Sequence, residues 1–472
     1  MRVNSLIKKA PIYTHEGAKA SHINPIQQLR RSVLSCMLWE DTFYESGQDI
    51  ATRIKSNAAL VTPQQLAALA IEARQKFHLR HIPLLLLIEL AKSAKGIPGL
   101  TRNTVESVIS RVDEMAELLA IYWADGRKPV PMGILRGLQQ AAQKFDAFQL
   151  NKWNRDGTVK LRDVIFLSHM HFPDSERASL IANVANSSHF PEVTKGGFAV
   201  GANLGLSGTP HVDTPETWEA LIAGAGAQTS KRREIWTDLL DRALKREKGS
   251  LGYMAVLRNL NNFHKDGVDT KLVESVIEAR VGAHRVLPFR YIQAAKVAPQ
   301  FYRSLDKALK ASIVSRDELS GTTVLCVDCS GSMQSPVSGK SQVSRFEAAA
   351  ALAGCVNGKT RLIAFGETAK EIPPIQGLGT VTALQGANVG FSTNAHLAVN
   401  IANAMNPDRI IVITDEQIAH SLPAPKTKNP YIINVASYKN GIGYDQWTHI
   451  DGFSAATLDF IRENENMDRV IY

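Results

Sequence analysis

Between residues 25 and 316 the apolar positions recur every three or four residues, the period of one face of an α-helix. Ile26, Leu29, Val33, Cys36 and Met37 follow it. So do Leu66, Leu69, Ala70 and Ala73 after Pro63, a residue suited to a first helical turn. The same reading predicts helices over 83–90, 105–119, 131–145, 163–169 and 176–185, then over 217–225, 232–244, 253–261, 271–280 and 289–315. Short Gly, Asn, Asp and Pro turns separate them and strand-like runs are scarce, which predicts helical hairpins stacked as a solenoid. No repeat period is legible, so the solenoid is an architectural inference. Residues 189–215, rich in Gly, Ser and Pro, lack the period and predict a surface excursion.

At Ser320-Gly321 the pattern changes. Short apolar strands over 323–327, 362–365, 410–413 and 431–435 alternate with helices over 346–356, 394–405 and 455–463, with a short run near Ile372 and a turn at Pro423 and Pro425. This alternation predicts a doubly wound α/β domain, and the chain divides on this reading into a helical part, 1–318, and an α/β part, 319–472. Ligands of such sheets bind outside the carboxyl ends of the strands, where Asp328 and Asp415 each follow an apolar run.

Length and composition fit a folded protein of two or three domains: 472 residues, 44% hydrophobic and 21% charged. The net charge of +9 is uneven, since the first 321 residues hold 43 Lys+Arg against 32 Asp+Glu and the remainder 11 against 13. A basic helical part suggests a polyanionic partner there. The four cysteines, Cys36, Cys326, Cys329 and Cys355, form no disulfide framework, and the Cys326–Cys329 spacing at a strand end reads as packed strand cysteines. No secretory leader is evident and the longest apolar run, 82–90, is too short to span a bilayer, so an intracellular, cytoplasmic setting is expected.

The candidate chemistry lies at Asp328-Cys329-Ser330-Gly331-Ser332. Three small oxygen donors at alternate positions after a strand suit a hard divalent cation such as Mg²⁺, which takes oxygen ligands and keeps some waters. Thr393, at a loop-to-helix junction, and Asp415, after a strand, are the remaining candidates. Ser330 stands where a phosphatase would need its general acid, which argues against phosphotransfer from Asp328. No Gly-x-x-x-x-Gly-Lys loop is present.

In their chain order these residues resemble the metal-ion-dependent adhesion site of von Willebrand factor type A domains. The resemblance implies that Ser330, Ser332 and Thr393 meet the ion directly or through water. Asp328 and Asp415 would act largely through water, leaving one position for an acidic group of a partner. The helical part is similar to the Ro autoantigen family, of the bacterial or phage-like kind. Leu167-Ser168-His169, Tyr253 to Leu260 with its Met-Ala-x-x-Arg-Asn-Leu pattern, Val286-Leu287-Pro288-Phe289 and Leu135-Arg136-Gly137-Leu138 carry the likeness. Leu287 replaces the family's His, and His171 stands where a Lys is usual. A HEAT-like helical-repeat ring (the TROVE module) followed by a von Willebrand A, Rossmann-like domain is the family's order.

That resemblance implies binding of small noncoding Y RNA on an outer face and of 3′ single-stranded ends of defective RNAs in a central hole. Lys152, Arg155, Lys160 and Arg162 crowd around one loop and helix start, with Trp153 between them and His169 further along the helix. Lys and Arg neutralise phosphates and an aromatic ring offers a stacking face. Lys152 and His169 match family contact positions, and Arg155 is a near match. The expectation is a monomeric, non-enzymatic ribonucleoprotein component that binds Mg²⁺ and docks a protein partner such as an exoribonuclease. The rival readings are a metal-dependent protein-interaction scaffold and, more weakly, an RNA-processing enzyme.

Overall fold

The computed structural model describes residues 12–14, 19–20, 24–34, 46–124, 126, 128–153, 157–186, 217–247, 249–283, 286–314, 318–339, 341–418, 420–436, 441–442, 446–453 and 456–470. The predicted excursion at 189–215, together with Cys36, Met37 and Arg155, lies outside them. The chain forms two compact units, Lys55–Ala220 and Met1–Ile54 with Leu221–Tyr472.

The first unit is helical: α3 (Pro63–Gln75), α4 (His81–Ser93), α5 (Leu100–Val108), α6 (Val112–Tyr122), α7 (Met132–Ala142), α8 (Ala147–Lys152), α9 (Leu161–Ser168) and α10 (Ser175–Asn186). Alternate helices pack on each other, α3 on α5, α5 on α7, α4 on α6 and α7 on α9, which is how stacked hairpins share one continuous core. Gly137 brings α7 close to α5, because a Cβ there would stand 2.5 Å from Val105 Cβ. The single helix expected over 105–119 is two helices. Val108, Ile109 and Val112 are all buried, so the apolar period runs through the break. The break itself is made by Glu114, whose carboxylate accepts from the amides of Ser110 (2.9 Å) and Arg111 (3.1 Å) and pairs with Arg74.

The second unit begins with two short strands, β1 (Ile12–Tyr13) and β2 (Lys19–Ala20), and helix α1 (Pro25–Leu34). Helix α2 (Gly47–Ala58) follows, which the apolar period did not announce, and α11 (Trp218–Ala225) opens the later segment. Helices α12 (Thr229–Leu244), α13 (Tyr253–Lys265), α14 (Thr270–Ala279), α15 (Phe289–Val297) and α16 (Tyr302–Val314) again pack alternately, α12 on α14, α14 on α16 and α13 on α15. The helix expected over 289–315 divides at Pro299, which has no amide to donate and holds Ala298 out of helical geometry (φ −135, ψ 68).

The same unit carries a mixed six-stranded sheet, in the order β5-β4-β3-β6-β7-β8. These are β3 (Leu319–Asp328), β4 (Gly358–Phe365), β5 (Ala369–Ile372), β6 (Arg409–Thr414), β7 (Asn429–Asn434) and β8 (Thr448–Asp451). Only β5 runs antiparallel to its neighbour. The chain leaves β3 for β4 on one side and returns to β6 on the other, so the carboxyl ends of β3 and β6 bound the crevice at the switch point. Helices α17 (Arg345–Ala353), α18 (Gly379–Gly386), α19 (Ala395–Ala404) and α20 (Ala456–Val470) complete it. Val324, Cys326, Ile410 and Val412 share one buried cluster with Ala398, Val399 and Ala402 of α19, as the two-residue strand period requires. Cys326 is wholly buried and free, as packed strand cysteines should be. Among the described residues no helix is long and apolar enough to cross a membrane.

A buried charge cluster ties α1 to the end of the sheet. Arg31 Nη1 lies 3.0 Å from Glu416 Oε2, and both side chains have no solvent exposure. His449 bridges Glu416 and Asp451, with Nδ1 2.9 Å from Glu416 Oε1 and Nε2 2.9 Å from Asp451 Oδ1. Asn434 Nδ2 donates to the same Asp451 oxygen at 2.9 Å. Burial alone would lower the His449 pKa, but Glu416 and Asp451 outweigh it and hold it up at about 9. Two cations then face two carboxylates and the buried charge balances.

Replacing Arg31 by Met leaves this balance broken and should destabilise the unit by about 3–5 kcal/mol, read as a lower urea midpoint. A loss under about 1 kcal/mol would place the cluster in solvent-like surroundings. The His449 pKa is raised on folding, so its contribution to stability is complete below about pH 6.5 and is lost as the pH rises through about 9. The urea midpoint should therefore fall between pH 7 and 10, and His449→Gln should flatten that fall; parallel pH profiles would refute the assignment.

Candidate metal centre and basic helical surface

The apolar run of β3 delivers Asp328 to the crevice wholly buried, and β6 delivers Asp415 in the same state. The turn after β3 folds back on Asp328, because Ser330 N donates to its Oδ1 at 2.9 Å and Thr414 Oγ1 donates to its Oδ2 at 2.6 Å. The Ser330 and Ser332 hydroxyl oxygens lie 3.4 Å apart. Gly331 N donates to the Phe391 carbonyl at 2.8 Å, which brings the loop carrying Thr393 against the Asp328 loop. Thr393 is 7% exposed and Phe391, beside it, 77% exposed. The structure thus gathers all five predicted metal ligands at one strand-end crevice.

Charge compensation at this edge is uneven. Arg345 Nη1 of α17 lies 3.2 Å from Asp415 Oδ2, with both side chains buried. Among the described residues no cationic side chain stands within ion-pair distance of Asp328. Burial, reinforced by the negative charge of Asp415, pushes the Asp328 carboxyl up to about 7. A buried carboxylate with only hydroxyl and amide partners, ringed by further hydroxyls, is a donor set that fits a small oxygen-seeking cation. Among the described residues no group of three or more His, Cys, Asp or Glu side chains could hold a metal ion, so the candidate depends on its hydroxyls. Arg345 was missed in the sequence. Its signal was the capping box Ser344-x-x-Glu347, which starts α17 beside the crevice.

The basic residues of the helical unit are less concentrated than their spacing predicts. Lys152 ends α8 and lies 3.9 Å from Glu219. Trp153 is covered by Arg111, whose Cζ stands 4.2 Å above its ring. Lys160 is the N-cap of α9, where its amide donates to Asp163 Oδ2 at 2.8 Å, and Arg162 lies over the Phe166 ring. His169 is not a further turn of the helix beside them. It caps the opposite end of α9 in left-handed conformation (φ 50), exposed, roughly 13 Å along the axis from Lys160. Its carbonyl accepts from Gln139 Nε2 at 3.3 Å, and that amide also meets His171 Nδ1 at 3.1 Å.

A helical-repeat region leading into a mixed parallel sheet, with the candidate ligands at its crevice, is the architecture of a helical module joined to a von Willebrand A-like domain. The TROVE domain family model matches residues 209–350. The crystal structure of the Deinococcus radiodurans Ro (RSR) protein shares the fold, with a TM-score of 0.55 at 18% identity over 92% of this chain and 98% of that one. The chain is therefore Ro-like in its fold and in its TROVE segment. No curated protein matches it.

Gly366 holds the two loops of the crevice together. Its carbonyl accepts from Asn394 N at 2.9 Å, and a Cβ there would collide with the carbonyls of Gly390 and Val389. Gly366→Ala should lower stability by about 1–3 kcal/mol, measured by chemical denaturation. A neutral outcome would mean that the Thr393 loop is not held where it is described.

Proposed function

We propose that the chain is a non-enzymatic RNA-binding protein that holds small structured, Y-like RNA and 3′ ends of misfolded RNA. It would act in the cytoplasm, in noncoding-RNA quality control or as a ribonucleoprotein scaffold. The TROVE match over residues 209–350 carries this reading. The excess of 43 Lys+Arg over 32 Asp+Glu in the first 321 residues supports it, since phosphate neutralisation by such residues is the main source of affinity for RNA. The half-buried Arg162 and the exposed His169 are the predicted contacts most open to an RNA, whereas Lys152 is engaged with Glu219.

At the crevice, Ser330, Ser332 and Thr393 would hold Mg²⁺ directly or through water, with Asp328 and Asp415 behind them. When bound, the ion supplies a ligand position for an acidic group of a protein partner. The chain's own residues shape that position: Thr414 and Ser330 fix the Asp328 carboxylate, and Arg345 fixes Asp415. A second reading, a metal-dependent protein-interaction scaffold, is favoured by Phe391, an apolar side chain left 77% exposed at the edge of the metal loop.

Gel-shift titrations of a small structured RNA with a free 3′ tail should show affinity falling steeply with salt. Arg162→Ala with His169→Ala should reduce the salt slope by about 1 for each lost phosphate contact. RNA that binds no better than heparin competes would leave the scaffold reading. Asp328→Ala should abolish the rise in melting temperature on adding Mg²⁺ while changing RNA affinity less than about twofold. A matching loss of RNA binding would overturn this division of labour.

A further inference from the structure

A cavity of about 570 Å³ opens in the Lys55–Ala220 unit, where the end of α4 and the turn after it meet the starts of α5 and α7. Lys95, Arg102 and Arg136 all line it, and no Asp or Glu does. Several other cations of this unit are committed: Arg74, Arg80, Arg111 and Arg177 each hold a carboxylate. Among the described residues none of the three cavity cations does, and Arg102 has only the Asn103 side-chain oxygen, 3.3 Å from its Nε. Three like charges around one hollow repel each other and lower their energy by taking up an anion.

Packing holds them there. The close approach of α7 to α5 at Gly137 seats Arg136 of one helix and Arg102 of the other on the same hollow, so their convergence is built into the helix contact. The positive ends of both helices add to the field in the same sense. Neither has a side-chain cap or an acidic residue in its first turn, and Gly99 and Pro131 occupy the cap positions. Thr101 and Asn103 add polar groups to the lining, and its apolar wall includes Ile97, Pro98 and Met132, which is 57% exposed.

We propose that this cavity is a nucleotide site, in which Lys95, Arg102 and Arg136 take the phosphate and the Ile97-Pro98-Met132 wall takes the base. The volume exceeds what a bare phosphate fills and lies in the range of small-ligand sites. Guanidinium groups match phosphate oxygens in pairs, which favours a phosphate over a carboxylate-bearing metabolite of the same charge. The ligand is a free mononucleotide; a nucleotide of a single strand presents the same phosphate and base, and the test separates the two. The site stands on its own charge and shape. None of Lys152, Lys160, Arg162 or His169 lines it, so it survives or falls separately from the RNA reading above.

The test is a titration of the full-length protein with adenosine monophosphate, adenosine and a labelled single-stranded oligoadenylate. Adenosine monophosphate should bind at least about tenfold more tightly than adenosine, and Arg102→Gln with Arg136→Gln should weaken it by about tenfold or more. Lys92→Gln, at a lysine already paired with Glu89, should change it less than about twofold. Should the double variant fail to fold, Met132→Glu, an exposed change that puts a negative charge at the rim, should produce the same loss. Binding by oligoadenylate but not by the monophosphate would return the hollow to the RNA reading above and overturn the proposal. Phosphorylated probes that bind no better than adenosine, or bind equally well to the variants, would overturn the proposal.

Discussion

The α/β part of this protein is governed by the burial of four carboxylates along one edge of a sheet. Asp328, Asp415, Glu416 and Asp451 all lie at the carboxyl ends of parallel strands and are almost wholly removed from water. Isolated buried charges of this kind are not tolerated, so each must find a partner or lose its charge. Arg345 answers Asp415, while Arg31 and His449 answer Glu416 and Asp451. Asp328 alone is left with hydrogen bonds and no cation. The hydroxyls of Ser330 and Ser332 stand beside it, so its charge is answered either by a proton or by the cation proposed above.

The same constraint accounts for how the N-terminal helix is attached. Glu416 follows Asp415 directly and sits at positive φ (62), a conformation unfavourable for a side chain of its size. Arg31 reaches it from almost four hundred residues earlier in the chain, and Gly441 closes over the pair so tightly that a Cβ there would strike the Glu416 carboxylate and the Arg31 guanidinium. The helix that supplies Arg31 is therefore part of the structure that holds the residue next to a candidate ligand.

Much of the fold was legible in the sequence because burial imposes periods. The alternate packing of helices followed from apolar residues at three- and four-residue spacing, and the strands ending at Asp328 and Thr414 from unbroken apolar runs. The failures have equally local causes. A period cannot register a break whose flanking residues are all buried, as at Val108–Val112, and a six-residue helix such as α8 is too short to establish one. The candidate metal ligands were legible because Asp328 ends a strand, Asp415 follows one and Thr393 stands just before a helix. Arg31 and His449 were not, because a buried ion pair joins residues far apart in the chain, and at Arg345 the capping box marks a helix start without marking its partner Asp415.

Clustered basic residues in a sequence say little about where positive charge is available, and the helical unit shows why. The crowded run from Lys152 to Arg162 looked the most basic, yet Lys152 faces Glu219 at 3.9 Å and the tryptophan is roofed by Arg111. Lys95, Arg102 and Arg136 are spread over about forty residues and form no cluster in the sequence, but helix packing converges them on one hollow with no carboxylate in it. Attraction for an anion depends on the charge left after internal pairing, since a cation already bound to a carboxylate must give up that bond to accept a phosphate. By that measure part of the free positive charge of this unit lies between α5 and α7, away from the cluster that the sequence marks.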